Sequence, residues 1–214
     1  MNPYEALDRI WPRPIFAVVR AASAETAVKA ARAAAVGGIK VVEVALTTPG
    51  AYRVIADLRR EHGGDVLVGA GAVMTLELAD RAIKAGAQFV AMPHTGYQIF
   101  EFCMQRQTLA IPSGATPSEI VGAWGLSVPF VRVFPAWSLG GPSYVHALKD
   151  TLDTVRLQPA GGVTPENMKA YFRAGASAVA VGSGLFPHAD LQLANFTAIG
   201  ERARALVRAY EKTT

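Results

Sequence analysis

Val41-Val42-Glu43-Val44-Ala45-Leu46-Thr47-Thr48-Pro49 reads as a buried strand running into a helix start, with one charge in the middle of an apolar run. A continuous β-branched and apolar run belongs in a parallel sheet covered on both faces. Thr48-Pro49 follows it as an N-cap threonine with proline at the first helical position. Ahead of the run, Ala24–Val36 is an alanine-rich stretch with helical spacing, closed by Gly37-Gly38.

The same unit recurs on both sides. Similar runs lie at Ile15–Val19, Val66–Ala70, Gln88–Met92, Leu109–Ile111, Phe130–Phe134, Val155–Gln158 and Ala178–Val181. Helix-like segments alternate with them at Pro49–Glu61, Leu76–Ala85, Gly96–Gln105, Pro117–Trp124, Pro142–Asp150, Pro165–Ala174 and Leu191–Glu211. Thr116-Pro117-Ser118-Glu119 has the capping-box spacing, and Thr164-Pro165 repeats the threonine–proline start. Gly86, Gly125 and Gly175 each stand just before the next run, where helix C-caps belong. Connections are short and no composition shift divides the chain. Eight β–α units in series predict an α/β protein, a single (βα)8 TIM barrel spanning residues 1–214. The segment 1–13 is expected to add a helix that plugs the bottom.

Composition narrows the function. Of 214 residues, 51% are hydrophobic and 18% charged, enough for a sizeable core. The net charge of +4 comes from scattered lysines and arginines, with no basic run interleaved with aromatics. That argues against nucleic acid and suits a small anionic ligand. No run is long enough to span a membrane, and residues 1–13 have no apolar signal core, so the expected compartment is the cytoplasm. Cys103 stands alone, which excludes a disulfide framework, and the four histidines have no metal-ligand spacing. No metal and no cofactor are expected. His94, after the fourth run, is placed either to reach the pocket or, the commoner case for histidine, as a solvated loop residue. Gly69-Ala70-Gly71 does not extend to a dinucleotide fingerprint, because Thr75 stands at the third glycine position.

Burying an unpaired charge is costly, so Glu43 and Arg132 are the leading candidates for chemistry. Alternation points Glu43 inward with Val41, Ala45 and Thr47, and Arg132 with Phe130 and Phe134. The third strand is read with Val68, Ala70 and Ala72 inward. Arg20 ends the first strand. Two glycine turns, at Gly161-Gly162 and at Gly182-Ser183, follow the seventh and eighth runs, where barrels often hold phosphate. Tight βα turns alone would also account for these glycines.

Several of these segments together resemble the 2-keto-3-deoxy-6-phosphogluconate / 4-hydroxy-2-oxoglutarate aldolase family. They include Gly37-Gly38-Ile39, Val42-Glu43-Val44, Val68-Gly69-Ala70-Gly71 and Ala85-Gly86-Ala87-Gln88-Phe89. Ala115-Thr116-Pro117-Ser118-Glu119, Val133-Phe134-Pro135-Ala136, Gly140-Gly141-Pro142 and Gly161-Gly162-Val163-Thr164-Pro165-Glu166-Asn167 complete the set. The resemblance runs from about Pro14 to Pro187. It implies a (βα)8 barrel, usually a homotrimer, that cleaves keto-deoxy sugar acids to pyruvate and an aldehyde through a lysine Schiff base without metal. By resemblance Glu43 is the general acid/base, Arg20 binds substrate, Pro93 and Phe134 wall the pyruvate site, and Gly161, Gly162 and Ser183 hold phosphate. Four positions depart from the pattern. Arg132 stands at the Schiff-base lysine, Thr47 at a carboxylate-binding arginine, Ala72 at a pyruvate-holding threonine, and Ala160 at a threonine.

A guanidinium stays protonated and cannot form the imine usefully. Lys40, three residues before Glu43, points away from it, and Lys84, Lys149 and Lys169 fall on helices. The expected protein is an aldolase-family carbon–carbon lyase for a small phosphorylated 2-keto acid, acting without the lysine imine. A non-catalytic binder or sensor of such an acid is the alternative. A third reading pairs Glu43 with Arg132 and closes the pocket.

Overall fold

A computed structural model describes residues 3–62 and 64–212. The observed elements follow the predicted alternation. After helix α1 (Pro3–Ile10) come β1 (Ile15–Val19), α2 (Ala24–Val36), β2 (Val41–Ala45) and α3 (Ala51–His62). Next are β3 (Leu67–Gly71), α4 (Leu76–Lys84), β4 (Phe89–Ala91), α5 (Tyr97–Gln105), β5 (Leu109–Ile111), β6 (Ser113–Gly114) and α6 (Pro117–Trp124). The chain closes with β7 (Val131–Val133), α7 (Pro142–Thr151), β8 (Leu157–Pro159), α8 (Met168–Arg173), β9 (Val179–Val181), α9 (His188–Gln192) and α10 (Phe196–Glu211).

Every described strand pairing is parallel, and the sheet curls with helices outside. Six strands run in the order β5-β4-β3-β2-β1-β9, and three in the order β6-β7-β8. The fifth predicted run yields two strands because Pro112, which has no N–H to donate, interrupts the ladder between Ile111 and Ser113. The chain thus passes from one sheet to the other through Pro112. At the opposite seam Ala160 bridges Ala180 in parallel.

Alternation sorts each strand into two layers. Ile15, Ala17, Val19, Val42 and Val44 pack outward under helices such as α2, whose buried Ala27, Ala30, Ala31 and Ala34 mark one face. Phe16, Val41, Leu67, Phe89, Leu109 and Phe130 face inward. Phe16 meets Phe89 at 5.5 Å and Phe130 at 5.8 Å, both edge-on. These side chains sit at the N-terminal ends of their strands, and Ala6 and Ile10 of α1 pack among them. Residues 1 and 2 of the expected N-terminal helix lie outside the described residues.

Four local expectations are corrected. In β3, Val68 and Ala70 point outward and Leu67, Gly69 and Gly71 inward, because Gly69 registers with Glu43 and Gly71 with Ala45. Glycine has no side chain to reveal the phase. Helix α3 starts two residues after Pro49, and the Thr48 hydroxyl instead accepts the Ala21 N–H at 3.3 Å. Thr164 caps a turn with Asn167, and α8 begins only at Met168. The predicted helix Leu191–Glu211 breaks at Ala194, whose φ is 52°, and restarts after the Asn195 cap. The glycines keep their expected places: Gly38, Gly86 and Gly175 take positive φ as C-terminal residues of helices do, and Gly125 caps α6 in the αR region, with Ser127 left-handed beyond it.

Candidate active site

The strand C-termini converge on a cavity of about 430 Å³. Its deep wall is polar. Glu43, at the centre of β2, is 1% exposed, and Arg132, at the centre of β7, is 7% exposed. They meet across the interior from different sheets. Arg132 Nη1 donates to Glu43 Oε1 at 2.9 Å and Nη2 to Oε2 at 2.7 Å. Arg132 Nε donates to Gln158 Oε1 at 2.8 Å. Burying an ion pair is costly unless hydrogen bonds compensate, and here three of the five Arg132 N–H groups are bonded while two are left over.

Space for the carboxylate comes from β3. A Cβ added at Gly71 would stand 2.1 Å from Glu43 Oε1, and one at Gly69 would enter the Phe89 ring at 2.5 Å. The inward glycines therefore let the Glu43 chain and the Phe89 ring lie across the strand. Val18, Ala45 and Ala180 supply apolar wall beside the ions. Met92, Pro93, Ala72 and Phe134 line another side. Ala72 reaches the cavity with φ 58°, a left-handed conformation.

The outer end is built from Gly161, Gly162, Gly182 and Ser183, with Arg20 and His188 beside them. Arg20 is exposed and has no hydrogen-bond or ion-pair partner among the described residues, so its charge is available to a ligand. Gly161 and Gly162 have φ 85° and 81°, and a Cβ on Gly162 would stand 2.3 Å from the Trp137 Cβ. Backbone geometry thus demands glycine here whatever the turn binds.

Of the predicted site residues, the cavity gathers Glu43, Arg132, Arg20, Pro93, Phe134, Ala72, Gly161, Gly162, Gly182 and Ser183. Thr47 is exposed and lies outside the lining. His94 is exposed and also outside it. The pairing of Glu43 with Arg132 occurs, yet the cavity above it stays open. Among the described residues no lysine lines the cavity; Lys84 is on α4, Lys149 on α7 and Lys169 on α8. Cys103 is not an alternative nucleophile, because it is buried on α5 and burial pushes its thiol up to about 12. Gln158 was missed in the sequence although it carries the same signal as Glu43 and Arg132, a polar residue in an apolar run. His188 and Leu191 give no sequence signal at all.

A curled parallel α/β sheet with an open cavity at its strand C-termini is the frame on which barrel-like enzymes carry their sites. The chain belongs to the KDPG and KHG aldolase family, whose model matches residues 8–202. It is 35% identical over 196 residues to a 2-dehydro-3-deoxy-phosphogluconate aldolase of Treponema pallidum, covering 92% of this chain and 91% of that one. It is 28% identical over 200 residues to a 2-dehydro-3-deoxy-6-phosphogalactonate aldolase of Escherichia coli, covering 93% and 95%. Among solved structures, a KDPG aldolase from Legionella pneumophila with pyruvate captured as a covalent carbinolamine superposes with TM-score 0.82 at 28% identity, covering 90% and 93%. No described helix is long and apolar enough to cross a membrane.

Proposed function

We propose that this protein is a carbon–carbon lyase for a small phosphorylated 2-keto acid that works without a lysine imine. The observation carrying this reading is Arg132, a buried guanidinium on the cavity wall where no lysine reaches. A carbinolamine such as the Legionella relative's forms when an amine adds to the keto carbon. Arg132, read as standing at the position of that amine, has no neutral nitrogen to add.

The chemistry then runs through an enolate. A base takes the C4 hydroxyl proton of a 4-hydroxy-2-keto acid, the C3–C4 bond breaks, and its electron pair moves onto the C2 oxygen. An aldehyde leaves, and protonation at C3 completes pyruvate. Arg132 has two N–H groups beyond its three bonds to protein, one on each edge of the guanidinium, and one of them is suited to the enolate oxygen. Glu43 is the carboxylate in reach of the reacting carbons and moves the proton. Arg20 and the backbone around Gly161, Gly162, Gly182 and Ser183 receive the phosphate. Pro93, Phe134 and Ala72 wall the keto-acid end, and Thr47, outside the lining, takes no part. The two sheets complete one (βα)8 barrel in this reading, as one domain over residues 1–214. A homotrimer in the cytoplasm is the expected setting; a solved cage built by fusing symmetric oligomeric domains is 27% identical with TM-score 0.83.

Pyruvate with borohydride tests the reading. No stable mass should be added to this protein, while phosphorylated 4-hydroxy-2-keto acids should yield pyruvate. A reduced adduct on any lysine would sink it. The second reading, a sensor that binds without turnover, is favoured by one fact: both Glu43 oxygens are already bonded to Arg132. Thermal stabilisation by these acids without pyruvate release would select it.

A further inference from the structure

We propose that Gln158 is the positioning residue of this cavity. It fixes the edge of the Arg132 guanidinium and so decides which N–H groups are left to meet a ligand. The inference rests on the reading that Arg132 meets a keto acid, and it adds a residue to that site.

β7 runs between β6 and β8, with Ser113 and Gln158 in register with Arg132 on either side. Glu43 holds the far end of the guanidinium through Nη1 and Nη2. A carboxylate gripping only that end leaves the plane free to hinge about the line joining the two groups. The Gln158 Oε1 bond to Nε, at 2.8 Å, removes that freedom. Because the guanidinium is planar, three pinned N–H groups fix the direction of the other two. Ser113 does not share the task, since its hydroxyl donates to the Met92 carbonyl.

Gln158 holds this contact at a cost. Its Oε1 must face Nε, because the reversed amide would set N–H against N–H. That orientation leaves Nε2 buried with no acceptor among the described residues. Methionine would fill similar space without an unpaired donor. Packing alone therefore does not account for a glutamine here, and contact with Arg132 does.

Nitrogen-15 spectra of the arginine side chains test this directly, with the Arg132 Nε–H assigned by its loss in Arg132→Lys. In the unmodified protein that proton should be protected from exchange. Gln158→Met should speed its exchange by roughly tenfold or more, as expected for loss of one hydrogen bond to a charged group, and Gln158→Glu, which keeps an acceptor, should preserve protection. A purely structural role would lower the melting temperature of the methionine variant and leave Nε–H exchange unchanged, which would overturn the proposal. Calorimetry with pyruvate and with inorganic phosphate adds a second readout. Gln158→Met should weaken pyruvate roughly tenfold and leave phosphate unchanged; equal loss of both, or loss of neither, also overturns it. If the unmodified protein does not bind pyruvate, the keto-acid reading fails alone, and the exchange measurement still decides the role of Gln158.

Discussion

The Glu43 carboxylate lies across Gly71 so closely that a Cβ there would stand 2.1 Å from Oε1. The backbone of Gly71 is not left-handed, so the constraint is steric and comes from the acid. Gly71→Ala should push the carboxylate off Arg132 and cost about 1–3 kcal/mol, the usual range for overpacking. Urea unfolding measures this. An unchanged midpoint would mean that Glu43 has another rotamer able to keep the pair.

Each ion protects the other. Glu43→Leu or Arg132→Met alone leaves a buried charge without its counterion and should lower stability by about 3–5 kcal/mol. Glu43→Leu combined with Arg132→Met should cost much less than the sum. A double-mutant cycle on denaturant midpoints reads the coupling. Additive losses would show that the pair contributes nothing as a pair.

Arg132→Lys offers a primary amine where this protein has none. Burial among apolar walls and a neighbouring carboxylate act on that amine in opposite directions, and only the neutral fraction attacks a keto carbon. Pyruvate with borohydride should add mass to this variant at position 132 and nowhere in the unmodified protein. Peptide mapping by mass spectrometry settles the site. Threonine at position 72 is not expected to help, because Ala72 has φ 58° and β-branched residues are strained there.

The turn into α6 should sense acid. Glu119 accepts the Ala115 and Thr116 N–H groups at 2.8 Å each, and these bonds hold its carboxyl below the ordinary 4.5. A lowered folded value means the unfolded chain takes up protons first. The contribution is therefore present above the ordinary value and is lost as pH falls toward the folded one. Glu119→Gln should flatten that part of the stability–pH curve, measured by thermal unfolding between neutral and acidic pH. A curve of unchanged shape would mean that the capping box adds nothing to stability.

Much of this molecule was legible in advance, for identifiable reasons. The β–α alternation is written in side chains that must face helices, so Ile15–Val19, Ala24–Val36 and Pro117–Trp124 keep their predicted bounds. Glu43 and Arg132 stood out because ions are conspicuous in apolar runs. The inward face of β3 was hidden, since Gly69 and Gly71 mark space rather than contact. Thr48 looked like a cap and serves a neighbouring loop instead, a long-range choice that local pattern does not carry. Gln158 could have been flagged by the rule that found Glu43. His188 could not, because it opens α9, a short helix absent from the predicted pattern.

Glu43 and Arg132 come from the two different sheets, which also join along their edges through Pro112, the Ser113 and Ser177 backbone bonds and the Ala160–Ala180 bridge. Their bond is thus a transverse strut rather than a local ornament. Prying one sheet from the other would strand two opposite ions at once, so the pair adds a tie through the interior to the bonds along the seams.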